Sequence, residues 1–237
     1  MKTATTMNIE VMDSADSVAQ RAAAIIAAEA RSAVNTRGRF VMAVSGGHTP
    51  WLMLRELANT DLPWQAVQVV QVDERVAPPD DPDRNLAHLR ESLLNHAPIS
   101  AVQIHPMPVE SADLEAAAAA YAATLGQVAG NPPVLDLVHL GLGPDGHTAS
   151  LVPADPVLAI EDADVAVTRP YQGRRRMTLT YPIINRSRRV LWVVSGEEKA
   201  PVLPRLLEGN TSIPAGRVRR ENALVIADRA AAAKLPV

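Results

Sequence analysis

The sequence predicts an α/β protein built on a mostly parallel sheet with helices on both faces, and three observations predict it. Short apolar runs rich in Val, Leu and Ile recur along the whole chain, stretches of helical pattern separate most of them, and polar glycine-bearing loops follow several of the runs. Strands that alternate with helices need crossover connections, and crossovers give parallel pairs covered on both sides.

The elements follow in order. Ser14 or Asp16 can cap an Ala-rich helix running to about Asn35, and Gly38 is placed to end it. The run from Arg39 to Val44 reads as a buried strand, and Ser45-Gly46-Gly47-His48-Thr49-Pro50 as a turn into a second helix. Further strands are expected at Val67 to Val72, Val102 to His105, Leu135 to Leu140, Ala163 to Thr168, Val190 to Ser195 and Leu224 to Ala227. His88 and His96 fall on an amphipathic helix, and Ala116 to Ala120 lies in a helix that Ser111 can cap. The proline-rich loops at 77–84, 130–133 and 153–156 are too short to link domains and no repeat recurs at a fixed period, so residues 1–237 read as one domain.

Composition narrows the function. The chain has 237 residues with a formal net charge of -3, which gives no basic excess for neutralising a nucleic acid. It has no cysteine, which excludes disulfides, thiolate chemistry and cysteine-ligated metals. The opening MKTATTMNIE lacks a signal-peptide apolar core, and no apolar run approaches the roughly 18 residues that span a bilayer. The expectation is a cytoplasmic protein with no membrane partner.

Ligands of such sheets sit beyond the carboxyl ends of strands, so the residues after each strand carry the functional reading. In Ser45-Gly46-Gly47-His48-Thr49-Pro50 the glycines let backbone N–H groups approach an anion, and the following helix adds partial positive charge. An ordinary turn with Thr49 as cap and Pro50 at the first helical position fits equally well. At Asp73-Glu74-Arg75 the guanidinium can hold an anionic oxygen and Asp73 can orient a neighbour, although a surface ion pair at a strand end is the commoner meaning.

The segment from Leu140 to Pro153 is the most informative. Gly141, Gly143 and Gly146 satisfy a dinucleotide fingerprint, but Pro144 stiffens the turn and Glu161 and Asp162 precede a strand instead of ending one, so that reading is set aside. Asp145, two residues before His147, can hold the imidazole in one tautomer and leave the other nitrogen to accept a proton. His147 is the candidate base. His88, His96, His105 and His139 read as structural or solvated, with His48 a neighbour of the glycine loop. Three consecutive arginines, Arg174, Arg175 and Arg176, are usually a solvated face, but here they precede an apolar alternating run and Lys199 follows a strand, which would supply the cations an anionic ligand needs. No His, Asp or Glu group shows metal-ligand spacing on one element.

With SGGHTP, VDERV, Asn85, GLGPDGHTASL, RRMTLTYPIIN, VSGEEKA and PAGRV in this order, residues 40 to 220 resemble the 6-phosphogluconolactonase branch of the glucosamine-6-phosphate isomerase/6-phosphogluconolactonase family. The resemblance implies a Rossmann-like fold of the isomerase type. It also implies hydrolysis of a phosphorylated sugar lactone, 6-phospho-D-glucono-1,5-lactone, to 6-phosphogluconate in the oxidative pentose phosphate pathway, with no cofactor or metal. It makes His147 the general base on water with Asp145 beside it. The phosphate would lie on Ser45, Gly46, Gly47 and Thr49 with Arg176, favoured over Arg174 and Arg175, and Lys199. Asp73, Arg75 and Asn85 would line the lactone end, and Arg75 or backbone N–H groups of the Gly141 to Gly146 loop, which contains Gly143, would meet the oxyanion. Val152 stands where many relatives carry Phe and where the isomerase branch carries a Glu, five residues after the His. A sugar-phosphate isomerase on the same fold and a non-catalytic sugar-phosphate or nucleotide sensor are the alternatives.

Overall fold

A seven-stranded parallel sheet runs through the protein. The computed structural model describes residues 7–235; the first six residues of the MKTATTMNIE opening and the last two residues lie outside it. In chain order the first elements are β1 (Asn8–Met12), α1 (Ala15–Arg37), β2 (Phe40–Val44), α2 (His48–Ala58), β3 (Val67–Gln71) and β4 (Asp73–Arg75). There follow α3 (Asn85–Leu89), β5 (Ile104–His105), α4 (Leu114–Ala129), β6 (Leu137–Leu140), β7 (Val165–Val167) and β8 (Arg176–Leu179). The last elements are α5 (Tyr181–Arg186), β9 (Val190–Val194), α6 (Leu203–Leu207) and β10 (Ala223–Asp228), and the strand order of the large sheet is β1-β10-β9-β6-β2-β3-β5.

The central strands are apolar at nearly every position because both faces are covered. Phe40, Met42, Leu137, Leu191 and Val193 face a layer made with α1 and α2, while Val41, Ala43, Val138, Leu140 and Trp192 face a layer made with α4, α5 and α6. The two-residue period within each strand sends alternate side chains to opposite layers. Helix α1 has the expected ends: the Ser14 side chain accepts the Ser17 N–H, and Gly38 at φ 73 donates to the Val34 carbonyl.

Several expectations are corrected. Asp113, not Ser111, caps α4, its carboxylate accepting the Ala116 N–H at 2.9 Å; the Ser111 hydroxyl donates to the Asp113 carbonyl instead. Only Ile104 and His105 pair as a strand, residues 101–103 forming a 3-10 turn. His96 lies past α3 and the π-turn Arg90–Leu94 that extends it. β1 was not expected, because its sequence NIEVM carries two polar residues in five and it pairs along one edge only.

The largest correction concerns Ala163 to Thr168. Its strand, β7, leaves the central sheet and joins β4 and β8 in a separate antiparallel sheet of order β4-β8-β7. Asp73-Glu74-Arg75 is therefore a strand in its own right rather than the end of one. Val72 joins the two sheets: its N–H donates to the Val44 carbonyl and its carbonyl accepts the Leu179 N–H. Val165, Ala166, Met177 and Leu179 of the small sheet pack into the same core as α4.

This topology locates the ligand crevice. From β2 the chain builds outward through β3 to β5, and β6 then returns to the other side of β2. The loops after β2 and β6 consequently diverge at the carboxyl edge, and an open α/β sheet binds its ligand at such a switch point. No helix among the described residues is long and apolar enough to cross a membrane.

Candidate active site

The loops that diverge after β2 and β6, together with the small sheet, enclose a cleft of about 410 Å³. Ser45, Gly46, Gly47 and Thr49 line one wall and Gly143 and His147 another. Asp73, Arg75 and Arg176 enter from the small sheet, Asn85 from α3, and Lys199 from the turn after β9. Asp145 stands behind His147 and is not part of the lining.

The glycine loop is built for close approach. A Cβ on Gly46 would fall 2.0 Å from Asn85 Oδ1. Gly47, at φ 127, is the residue that precedes α2, and no side chain caps the helix. Thr49 and Pro50 are inside the first turn, which corrects the reading of Thr49 as cap and Pro50 as first helical residue. The uncapped helix start directs its N–H groups and positive dipole end at the cleft. The Ser45 N–H donates to His139 Nδ1 at 3.2 Å, tying the loop to β6 beside it. Buried His139 is therefore an acceptor at Nδ1, and burial pushes its pKa down to about 3.

The loop after β6 positions His147, the candidate base. Gly143 N–H donates to the His147 carbonyl and Gly146, at φ 84, donates to the Gly143 carbonyl, closing a tight turn. A Cβ on Gly143 would lie 2.1 Å from His147 Nδ1, so only glycine leaves room for the ring. His147 Nδ1 meets Asp145 Oδ1 at 2.6 Å, and the same oxygen accepts the His147 backbone N–H at 3.1 Å. An ionised carboxylate has no proton to give, so Nδ1 carries the hydrogen and Nε2 is left as acceptor. Burial alone would raise the Asp145 pKa, but the hydrogen bonds and charge it receives from His147, with a further bond from Tyr171, hold it below the usual value.

In the small sheet Arg75 and Arg176 are direct cross-strand partners, so both guanidiniums stand over the cleft. Like charges directly opposite repel. Asp73 opens β4 two residues before Arg75, opposite Thr178, and both arginine charges act on its carboxylate. Burial pushes the Asp73 pKa up, against the Ser150 hydroxyl that donates to its Oδ2 at 2.7 Å and against the two arginine charges. Burial also lowers the Arg176 pKa, opposed chiefly by Asp73. Arg174 is paired with Asp81 at 2.8 Å and Arg175 with Glu115 and the Thr168 carbonyl, so of the three arginines only Arg176 lines the cleft. Lys199 Nζ lies 3.3 Å from Glu198.

Glu74 is not the surface ion pair considered from sequence. Fully buried, its carboxylate accepts the Asn85 and Leu86 N–H groups at 2.8 Å each and pairs with Arg84, itself 2% exposed, at 3.2 Å. It thus anchors the start of α3 and sets Asn85, whose Nδ2 donates to the Asp73 carbonyl. Sequence reasoning gave no role at the site to Arg84, Ser150 and Tyr171, took Glu74 only as part of a strand-end ion pair, and read His139 as structural or solvated without its tie to Ser45. Ser150 lay within a motif already singled out, but the burial of Glu74 and Arg84, and the neighbours of His139 and Tyr171, leave no local signal.

The family model described as glucosamine-6-phosphate isomerases/6-phosphogluconolactonase matches residues 13–226. A 6-phosphogluconolactonase of Mycobacterium tuberculosis is 38% identical over 249 aligned residues, covering 97% of this chain and 98% of its own. One from Synechocystis is 39% identical, covering 82% of each. The solved 6-phosphogluconolactonase of Trypanosoma cruzi superposes with a TM-score of 0.88 at 26% identity over 99% of both chains. With the family model spanning most of its length and close relatives matching it nearly end to end, the chain belongs to the glucosamine-6-phosphate isomerase/6-phosphogluconolactonase family.

Proposed function

We propose that this chain hydrolyses 6-phospho-D-glucono-1,5-lactone to 6-phospho-D-gluconate, the lactone-opening step of the oxidative pentose phosphate pathway. It is an enzyme of the 6-phosphogluconolactonase branch, a carboxylic ester hydrolase, as its relatives' names support. The observation that carries the mechanism is the Asp145–His147 hydrogen bond beside a cleft lined by Arg75, Arg176 and Lys199.

His147 Nε2 takes a proton from water as the oxygen attacks C1 of the lactone. The C1 oxygen becomes an oxyanion, held by Arg75 or by backbone N–H groups of the turn containing Gly143. When the tetrahedral intermediate collapses, the bond from C1 to the ring oxygen breaks, and the imidazolium returns its proton to that leaving oxygen. Asp145 stabilises the imidazolium between the two steps. The phosphate lies on the uncapped start of α2, at Gly46, Gly47 and Thr49 with Ser45 behind them, and on Arg176 and Lys199. Asp73 and Asn85 hold the lactone hydroxyls.

Val152 favours hydrolysis over isomerisation. It is buried outside the cleft lining, and an aliphatic side chain cannot relay a proton to open a hemiacetal. The deciding experiment follows freshly made phosphorylated lactone with and without the pure protein. Catalysed decay above the spontaneous background is expected, with no deamination of glucosamine 6-phosphate. Binding without turnover would indicate a sensor instead, and robust deamination would indicate the isomerase branch.

A further inference from the structure

Tyr171 is set by a tight turn between β7 and β8. Its N–H donates to the Arg174 carbonyl at 2.9 Å, the Arg174 N–H donates back at 3.3 Å, and Gln172 and Gly173 between them have φ of 52 and 81. Two successive left-handed residues match the twist of a hairpin, and Gln at the first of them is a conformation that L side chains rarely adopt. That turn places Tyr171 against three members of the site at once. Its hydroxyl lies 3.0 Å from Asp145 Oδ2, its ring meets the His147 ring edge-on at 5.7 Å, and the Arg176 guanidinium sits over its face at 5.0 Å. Arg176 also donates to the Gln172 side chain at 3.1 Å.

The two carboxylate oxygens of Asp145 are thereby divided. Oδ1 serves His147 and Oδ2 takes the Tyr171 hydroxyl, so the carboxylate cannot rotate without losing a charge-assisted bond. Burial, followed by the bond to this carboxylate, raises the Tyr171 pKa, which keeps the phenol a donor.

We propose that Tyr171 is a positioning residue for the reaction: its hydroxyl fixes Asp145, and through it the His147 tautomer, while its ring face holds Arg176, so that one side chain joins the proton-transfer pair to the anion-binding cation. The kinetic consequence rests on the lactonase reading above; the consequence for the imidazole does not.

The test combines kinetics with 15N NMR of the His147 ring in the free protein. Tyr171→Phe keeps the ring and deletes the hydroxyl, so kcat should fall roughly 5- to 20-fold with KM nearly unchanged, and the ring should leave the single Nδ1–H form for a mixture of tautomers. Tyr171→Ala should add a rise in KM for the phosphorylated lactone, because Arg176 loses the ring beneath it. Matched thermal unfolding of Tyr171→Phe and wild type excludes a folding defect. A Phe variant with wild-type kcat and an unchanged Nδ1–H signature would overturn the proposal. Should the wild-type protein fail to hydrolyse the lactone, the functional reading falls, and the tautomer comparison alone still decides the role of Tyr171.

Discussion

A histidine accepts a proton usefully only when its other nitrogen is committed, and the commitment of His147 is made by a neighbour two residues away. Asp145 and His147 are joined within one turn, so the pair is a local feature that needs no distant element to form. Gly143 is equally local, since its missing side chain is the space the ring occupies. His147→Ala should lower kcat roughly 10²- to 10⁴-fold, the usual cost of losing a general base, with unfolding unchanged, because the ring is partly exposed rather than core. Near-normal turnover after background subtraction would remove His147 from the mechanism. Asp145 and His147 were readable from spacing. Tyr171, whose hydroxyl reaches the same carboxylate from 26 residues away, was not.

At the scale of elements, the antiparallel pair β4 and β8 aligns Arg75 with Arg176. Two guanidiniums in cross-strand register over a cleft repel, and a bound anion would relieve that repulsion. Arg176→Ala and Lys199→Ala should therefore weaken binding of the phosphorylated lactone, each charge-assisted bond contributing on the order of 1.5–3 kcal/mol. The unphosphorylated lactone should be affected far less, and equal losses of kcat/KM on both substrates would contradict a phosphate role. The sequence offered three consecutive arginines before an alternating run, with Arg176 favoured. The pairing of Arg174 with Asp81 and of Arg175 with Glu115 depends on where the 77–84 loop and α4 come to rest.

For the molecule as a whole, His139 couples the sheet to the site. It is buried in β6 and accepts the N–H of Ser45, so the glycine loop after one strand hangs on the strand beside it. Burial depresses its folded pKa to about 3, below its unfolded value near 6.5, so the unfolded chain binds more protons between those limits. Stability from this group is complete above pH 6.5 and is lost as the pH falls toward 3, by about 1.4 kcal/mol per unit. Urea unfolding at pH 7 and pH 5 checks this: His139→Asn, which keeps an acceptor but cannot titrate, should lose less stability over that interval than wild type. Equal losses would show that His139 does not stay neutral in the fold.

What the sequence determined by itself is whatever is carried by periodicity and short spacing. Apolar runs marked six of the seven strands of the large sheet in kind, most plainly β2 and β9, because strands covered on both faces are apolar at most positions, whereas β5 at the edge is half-buried and shows only two paired residues. Ser14 and Gly38 marked the ends of α1, because a cap is a contact within a few residues. The glycine loop and the Asp145-Gly-His147 turn were legible for the same reason. Only the tertiary structure decided that residues 163–168 abandon the central sheet, since a short apolar strand carries no label of its partner. It alone decided that Glu74 and Arg84 are a buried pair anchoring α3, that His139 supports the glycine loop, and that Tyr171 reaches Asp145. Those facts are contacts between segments distant along the chain, and they exist only once the sheet order brings the segments to one edge.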